Sequence, residues 1–420
     1  MKRRLVDLIV CPRCGGRFAL ESHAEEAVPG WTPSRVACST VCAWRQSTVD
    51  RGVSPADCAR CYRSDVVEGR LRCTGCRADF PIINGIPRLL SPALLARMRS
   101  RYPDFFSRHP EFLAETSSPS DPLAETLDSF TRQRLDLRLP GPELRHQWQA
   151  NLCRNLGRAA TLADLRDKLV LDVGCGFGRH LYVANRAGAE TVGIDLSGGV
   201  DVARRNNREH ARCHIIQADV LEAPVQGGRF DVVWSFGVLH HMPSPRAAFR
   251  TIVRFARPSG GLVAIWVYGY RGMALTYRWS HMRSLHRLVR GMSSTARVRV
   301  SRAIAAVLSV LYFEPLKVAA RLGLRRFLGV LPLGAYVEYG WSARTAAVHD
   351  RLSTPITHFH EREELREWFR NGEMTDVCVE DTERRGWRAH AWRRAGCPKA
   401  AAAVALGSAP STCSTVTTAR

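Results

Sequence analysis

Residues 169–180 constrain the fold of this chain more than any other segment. An apolar stretch that contains Asp172 runs into three glycines, Gly174, Gly176 and Gly178, and a helical stretch follows. Glycine lacks a Cβ, so the backbone can turn tightly and approach a ligand beside the positive end of the next helix. The segment therefore predicts a strand–turn–helix unit that binds a dinucleotide, a flavin or S-adenosylmethionine (SAM).

Apolar strands and amphipathic helices alternate from residue 169 onward. Strands are predicted at 169–173, 191–195, 213–218, 230–234 and 262–267, and helices at 178–187, 198–208, 245–256 and 361–370. This alternation predicts an α/β fold with a doubly wound sheet whose core is mainly parallel. Two final strands are expected at 375–381 and 386–393.

The ends of the later strands distinguish among the three cofactors. Asp195 ends the second strand, where an acid can bind a ribose diol. Asp219 ends the third strand and is placed to accept a hydrogen bond from an adenine amine. The fourth strand leads into Ser235–Met242, and the fifth follows Arg257–Gly261.

Together, these segments resemble class I SAM-dependent methyltransferases over about 165–270, in particular the methyltransferase 11 group of ubiquinone and menaquinone type. The resemblance implies a Rossmann-like sheet and a SAM site. By position, Asp172 and the glycines of the turn would meet the methionine end of SAM, and Asp195 would hold the ribose. The remaining implied cofactor-binding residues are Leu196, Asp219 and Val220 around the adenine, and Ser235 and Phe236 beside the sulfonium.

His240 and His241 are the candidate catalytic residues, because they follow the fourth strand beside the expected methyl group. Histidine titrates near neutrality, so either one can act as the base for a hydroxyl acceptor. In the family that this chain resembles, such a pair often only shapes the site.

Trp234–Gly237 lack the Asp/Asn-Pro-Pro-aromatic pattern of enzymes that methylate base amines. A small-molecule, lipid-linked or glycan-type acceptor is expected. An RNA or protein methyltransferase and a non-catalytic SAM-binding scaffold are the alternatives.

Eight of the fourteen cysteines lie between Cys11 and Cys76. Two CxxC pairs, Cys11/Cys14 and Cys73/Cys76, have the spacing of a structural Zn²⁺ site. The frame from Leu8 to Pro87 resembles a Trm112-like, zinc-ribbon-like module, a family that activates or stabilises methyltransferases. The intervening stretch adds Cys38, Cys42, Cys58 and Cys61, which can form a second zinc site. Alternatively, Cys58/Cys61 pair with Cys73/Cys76, and Cys11/Cys14 with Cys38/Cys42.

The expected organisation is a zinc module, a linker, a methyltransferase domain and a disordered tail. The ranges are 5–90, 91–142, 143–395 and 396–420, and the domain comprises the SAM-binding core, a helical insertion over 271–345 and C-terminal elements over 346–395. The chain has a net charge of +22, and residues 271–335 contribute eleven Arg and one Lys against one Glu. That segment can contact an anionic surface or RNA. No membrane-spanning segment is predicted, and a cytoplasmic location is expected.

Overall fold

The computed structural model describes residues 1–28, 31–34, 36–113, 131, 142–222, 224–270, 288–289, 291–323, 328, 337, 340–354, 356–382 and 386–394. The predicted tail and much of the basic insertion lie outside these ranges. The strands are β1 Phe18–Ala27, β2 Val41–Cys42, β3 Ser47–Thr48, β4 Ser64–Cys73, β5 Asp79–Ile83, β6 Ile86–Leu89, β7 Leu169–Val173, β8 Glu190–Asp195, β9 Cys213–Ala218, β10 Val232–Phe236, β11 Leu262–Tyr268, β12 Met374–Asp381 and β13 Gly386–Arg393.

Helices cover both faces of the sheet. They are α1 Pro55–Tyr62, α2 Pro92–Ala96, α3 Pro103–Arg108, α4 Pro142–Leu156, α5 Arg179–Arg186, α6 Gly199–Asn207, α7 Pro245–Phe255, α8 Ser294–Leu308, α9 Glu314–Arg321, α10 Trp341–Ser353 and α11 Arg362–Arg370. Their apolar faces follow the periodicity of amphipathic helices. In α7, for example, Phe249 and Ile252 are fully buried while Arg250 and Arg254 face solvent.

Eleven strands form one sheet in the order β1-β4-β5-β6-β9-β8-β7-β10-β11-β13-β12. The strands from β9 to β11 are parallel, and β13 returns antiparallel to β11. The chain order reverses between β7 and β10, which is the switch point where doubly wound sheets bind their ligands. The α/β class predicted from the sequence is confirmed, and the glycine turn that follows β7 lies at this point.

The N-terminal strands are part of the same sheet. β6 pairs in parallel with β9 through Arg88 with Gln217 and Leu89 with Ala218. The fully buried Arg88 side chain donates hydrogen bonds to the Gln217 Oε1 atom at 2.7 Å and to the Asp201 Oδ1 atom at 2.7 Å. Burial removes the Arg88 cation from water, and these two hydrogen bonds offset the free-energy cost of that loss. Backbone pairing and side-chain contacts therefore join the cysteine-rich segment to the central sheet.

A second polar contact links the first residues to β8. Arg4 lies 2.7 Å from Asp7 and 3.2 Å from Glu190, which also accepts from the Tyr62 hydroxyl. Burial alone would raise the pKa of Glu190, but Arg4, His214 and Tyr62 outweigh it and lower the pKa to about 2. The carboxylate is therefore ionised throughout the neutral range, and it holds the N-terminal turn against the sheet.

The segment that follows β6 packs beside the predicted adenine side of the cofactor site. Leu196 contacts a cluster that includes Ile83, Leu90, Phe105 and Phe106. Residues 91–113, which are part of the predicted linker, thus form α2 and α3, and their aromatic side chains are buried in this cluster. This packing stabilises the loop after β8.

The basic insertion contains one long helical element. α8, a π-helical turn over Ser309–Phe313 and α9 run on without a break, so that Thr295–Arg321 is long and apolar enough to cross a membrane by length and composition. The sequence analysis predicted no such segment, because charged residues interrupt its apolar runs. Most of this helix is not buried by the rest of the protein.

Candidate functional site

Four adjacent parallel strands bring the predicted cofactor residues to one edge of the sheet. Asp172 lies near the end of β7, Asp195 ends β8, Asp219 follows β9, and Ser235 lies near the end of β10. The carboxyl ends of neighbouring parallel strands meet at one edge. The arrangement is therefore the one expected from the order of the motifs along the chain.

The glycine turn requires glycine for two separate reasons. Gly174 has a φ of +80°, and a Cβ there would lie 2.3 Å from the Val238 Cγ2 atom. Gly178 has a φ of +77°, and its Cβ would lie 2.5 Å from the Asn207 Nδ2 atom. Side chains rarely adopt this left-handed region. The turn is thus shaped by both backbone conformation and close packing.

Asp195 holds the turn from the neighbouring strand. Its Oδ2 atom accepts a hydrogen bond from the Gly176 N–H at 2.8 Å. Its Oδ1 atom accepts from the Ser197 N–H at 2.8 Å and from the Ser197 hydroxyl at 2.6 Å. A carboxylate can accept about four hydrogen bonds in all. The same side chain can therefore order the loop and accept from a ligand diol.

The other predicted cofactor residues differ in exposure. Asp219 is half-buried and accepts from the Leu221 N–H at 2.9 Å, and burial raises the pKa of its carboxyl group. Val220 is buried in the main core. The fully buried Ser235 hydroxyl donates to the Val173 carbonyl at 3.0 Å and thereby ties β10 to β7. Phe236 packs edge to face against the His180 ring.

His240 and His241 lie in an aromatic cluster beside β11. The His240 ring is fully buried, stacks on Tyr268 at a centroid distance of 3.8 Å and lies 4.2 Å from the His241 ring. Neither His240 ring nitrogen has a hydrogen-bond partner among the described residues. Burial lowers the pKa of His240 well below its usual value, and His241, His360 and His358 lower it further. His241, by contrast, contacts the Ile356 carbonyl through its Nδ1 atom at 2.9 Å.

The structure adds residues that the sequence analysis missed. His358 donates its backbone N–H to the His240 carbonyl at 2.8 Å, and His360 donates its own to the Tyr268 carbonyl at 2.9 Å. The Asn206 side chain donates to the Phe177 carbonyl at 2.9 Å, and the Asn207 side chain to the Gly178 carbonyl at 3.1 Å. The sequence signal for these last two contacts was the pair of adjacent asparagines, Asn206 and Asn207, that follows the Asp195 loop. No local pattern pointed to the two histidines, since they lie more than one hundred residues from His240.

The buried histidines predict that acid destabilises the fold. Burial is the main cause that lowers the pKa of His180, His214 and His240. Below about pH 6.5 the unfolded chain binds protons at these rings that the folded chain does not bind, because unfolded histidine titrates near 6.5. Between pH 7.5 and pH 5.5 the free energy of unfolding should fall by about 1.4 kcal/mol in total for each such histidine. Urea unfolding at the two pH values measures this difference, and His240→Phe should reduce it by the contribution of one histidine. Equal stability at the two pH values would contradict the assignment.

Four cysteines of the N-terminal region converge. The Sγ atoms of Cys11, Cys14, Cys73 and Cys76 all lie within 4.8 Å of one another. A Cβ at Gly16 would lie 2.9 Å from the Cys73 Sγ atom, so only glycine fits against this cluster. Burial raises the pKa of Cys73, but the Cys76 and Gly75 N–H groups outweigh this effect and bring it to about 7. Four sulfur atoms at this spacing, one of them easily ionised, fit a tetrahedral metal ion.

The other four cysteines of the N-terminal region do not join that cluster. Cys38, Cys42, Cys58 and Cys61 are all buried, and the last two lie one turn apart on α1. Within the described part of the chain, Cys11/Cys14/Cys73/Cys76 is the one set whose ligand atoms meet the distance limit for a metal site. The geometry thus groups Cys11/Cys14 with Cys73/Cys76, which was the first of the two pairings predicted.

Two family models match the chain. Residues 171–264 match the model of a methyltransferase domain, and residues 2–85 match that of Trm112p-like proteins. The first covers β7 to β11, including the glycine turn and both histidines. The second covers the cysteine cluster and the strands up to the β5–β6 turn.

Individual relatives match only the central part of the chain. A stretch of 104 residues is 38% identical to the chloroplastic tocopherol O-methyltransferase of Arabidopsis thaliana, covering 23% of this chain and 30% of that protein. A stretch of 107 residues is 36% identical to the tRNA U34 carboxymethyltransferase of Cellvibrio japonicus, covering 24% of this chain and 33% of that protein. The chain thus spans about a third of the length of these curated relatives.

A solved structure also aligns with the chain. Magnesium protoporphyrin IX methyltransferase from Synechocystis, with bound SAM, aligns over 66% of this chain and all of that chain, at 14% identity and a TM-score of 0.37. The two family matches cover separate parts of the sequence, and both agree with the motifs that predicted them. The chain therefore carries a methyltransferase domain and a Trm112p-like domain.

Proposed function

We propose that this chain is a SAM-dependent methyltransferase that acts on a small-molecule, lipid-linked or glycan-type acceptor. The observation that carries the proposal is the meeting of the glycine turn, Asp195, Asp219 and Ser235 at the ends of four adjacent strands. The methyltransferase domain match over 171–264 supports it. When bound, SAM supplies an activated methyl group, so the protein needs chiefly to align the acceptor and exclude water.

The residues present fit SAM. In our proposal Asp172 and the backbone of the glycine turn meet the methionine end, and Asp195 accepts from the ribose. Leu196 and Val220 flank the adenine, and Asp219 accepts from its amine. Ser235 and Phe236 border the methyl group. The carboxylates favour a cofactor that carries a cationic amino group, a cationic sulfonium and the hydroxyl donors of a diol.

His241 is the better candidate for the base of the two adjacent histidines. His240 is fully enclosed between His241 and Tyr268, and burial holds its pKa well below the usual value. A ring that resists protonation is a weak base. We assign His240 to the support of the site and His241 to proton removal from a hydroxyl acceptor.

Paired variants test this assignment. We expect His241→Asn to lower the rate of methyl transfer by about 100-fold, since a positioned base contributes roughly 10²–10⁴-fold. His240→Phe preserves a flat ring against Tyr268 and should change the rate by about threefold at most. SAM affinity, measured by calorimetry, should be unchanged in both. A larger loss in His240→Phe than in His241→Asn would reverse the two roles.

Transfer to an extract identifies the class of acceptor. The full chain is incubated with methyl-labelled SAM and a bacterial extract, which is then separated into lipid, RNA, protein and small-molecule fractions. We expect label in the lipid or small-molecule fraction. Label in RNA or protein would contradict the proposed acceptor but not the activity. SAM binding without any S-adenosylhomocysteine would support a non-catalytic scaffold instead.

An RNA acceptor is the second candidate, because one relative is named as a tRNA-modifying enzyme and because the chain is strongly basic. RNA binding through arginine and lysine weakens steeply with salt. Absence of RNA binding at low salt would remove this candidate.

We further propose that Cys11, Cys14, Cys73 and Cys76 bind one structural Zn²⁺ ion. Four thiolates leave no open position for a substrate, so the site is not catalytic. The buried Cys38, Cys42, Cys58 and Cys61 are the candidate ligands of a second zinc ion. Metal analysis of the purified protein distinguishes a content of one zinc ion per chain from a content of two.

A further inference from the structure

Among the described residues, the long helix of the insertion packs against the protein along one side. On its inner side, the Ser301 hydroxyl lies 3.1 Å from the His349 Nδ1 atom, and Ala305 is fully buried against Val348 and Leu352 of α10. These contacts fix which side of the helix faces outward.

The outer side is apolar and exposed. We call the following residues the outer stripe: Ala303, Ala306, Val307, Val310, Leu311, Val318 and Leu322. Leu311 is 73% exposed and Leu322 is 78% exposed. The stripe holds five of the ten large hydrophobic side chains that are exposed within the described part of the chain. Clustered exposed apolar side chains mark a binding surface more often than scattered ones do.

Positive charges flank this stripe at both ends. Arg299 and Arg302 precede it, and Lys317 and Arg321 lie near its other end. Glu314 is the one acid in the helix, and it is paired with Arg344 at 2.8 Å. An apolar surface with cations at its edges matches the acyl and phosphate layers of an anionic bilayer. The eleven residues 303–313 carry no charge, whereas a nucleic-acid surface needs cations along its length.

The geometry favours a helix that lies on the bilayer over one that crosses it. The uncharged run 303–313 spans about 16 Å as a helix, and a bilayer core is about 30 Å thick. Crossing would also separate Ser301 from His349 and would remove the cover from Ala305. An in-plane helix keeps these contacts and immerses only the outer stripe.

We propose that the outer stripe docks the protein on the surface of an anionic lipid bilayer. The stripe is linked to the candidate site, because α10 leads directly to residues 356–360, which contact His240 and His241. Docking thus places the candidate site near molecules dissolved in the membrane. The proposal concerns binding alone and holds whether or not methyl transfer occurs.

Vesicle flotation of the full chain tests the proposal. We expect the protein to float with vesicles of phosphatidylcholine and phosphatidylglycerol, and more weakly with phosphatidylcholine alone. Val310→Glu with Leu311→Glu should reduce binding by about tenfold or more, because two deeply placed apolar groups are replaced by repelled charges. The matched control is Ala19→Glu with Ala24→Glu, which adds the same charge at exposed positions of β1 and should bind as the wild type does.

Each alternative partner of the outer stripe would give a different experimental result. Wild-type protein that floats with neither vesicle overturns the proposal, as does a stripe variant that floats like the wild type. Binding to RNA that is lost in Val310→Glu/Leu311→Glu, without flotation, would assign the stripe to nucleic acid. A wild-type dimer that the same variant dissociates, again without flotation, would assign it to a second copy of the chain. SAM binding by the variant, measured by calorimetry, verifies that the core is folded.

Discussion

Asp195→Ala should reduce the affinity for SAM by about 100-fold or more. The side chain is proposed to accept a hydrogen bond from the ribose, and a bond to a charged group contributes roughly 1.5–3 kcal/mol. The substitution also removes the acceptor of the Gly176 N–H, which holds the glycine turn at 2.8 Å. Isothermal titration with SAM measures the loss.

Two further variants separate ligand binding from loop order. Ser197→Ala retains the carboxylate and removes the hydroxyl that donates to its Oδ1 atom and accepts from the Gly199 N–H, so the affinity should change by about threefold at most. Asp195→Asn retains one acceptor oxygen, so its affinity for SAM should lie between those of Asp195→Ala and Ser197→Ala. Thermal unfolding without SAM reveals any general loss of structure. An Asp195→Ala protein that binds SAM as tightly as the wild type would place the ribose elsewhere.

Cys73→Ser should remove one zinc ion per chain and lower the melting temperature by on the order of 10 °C or more. Cys73 is fully buried, and its Sγ atom lies 3.4 Å from that of Cys14. Metal binding supplies much of the folding energy of small cysteine-rich modules. Strands β1 and β4–β6 depend on this cluster at one end, so their loss would uncover the edge of β9.

Cys153→Ser is the matched control, since Cys153 is exposed on α4 and distant in sequence from every candidate ligand. It should retain the zinc content and melting temperature of the wild type. Chelation by EDTA should reproduce the Cys73→Ser effect in the wild type. If Cys73→Ser retained its full zinc content, the metal would have other ligands.

Much of the central sheet was predictable because its strands are short apolar runs with clear ends. Strand β9 was predicted at its observed residues, and β7 likewise. The fourth strand was predicted at 230–234 but is observed at Val232–Phe236, because Phe230 forms an isolated bridge with Ala256 before the strand begins. Tertiary pairing, which the local pattern does not encode, sets that boundary.

Contacts between distant segments were less predictable. The pairing of β6 with β9 joins Arg88 to Gln217, two polar residues that no hydrophobic pattern connects. The approach of His358 and His360 to His240 likewise depends on the path of the insertion. By contrast, the cysteines of the cluster were predictable as ligands, since a CxxC pair presents two thiols from one turn. Their spacing left two pairing schemes open.

The pairing of β6 with β9 has a consequence for how the Trm112p-like domain serves its neighbour. Two separate proteins joined edge to edge come apart on dilution, and their complex depends on the concentrations of both. Here the two partners are tethered in one chain, so the local concentration of each near the other is fixed by the connecting segment. Coverage of the β9 edge is then independent of protein concentration, and each methyltransferase domain has its own module in a ratio of one to one.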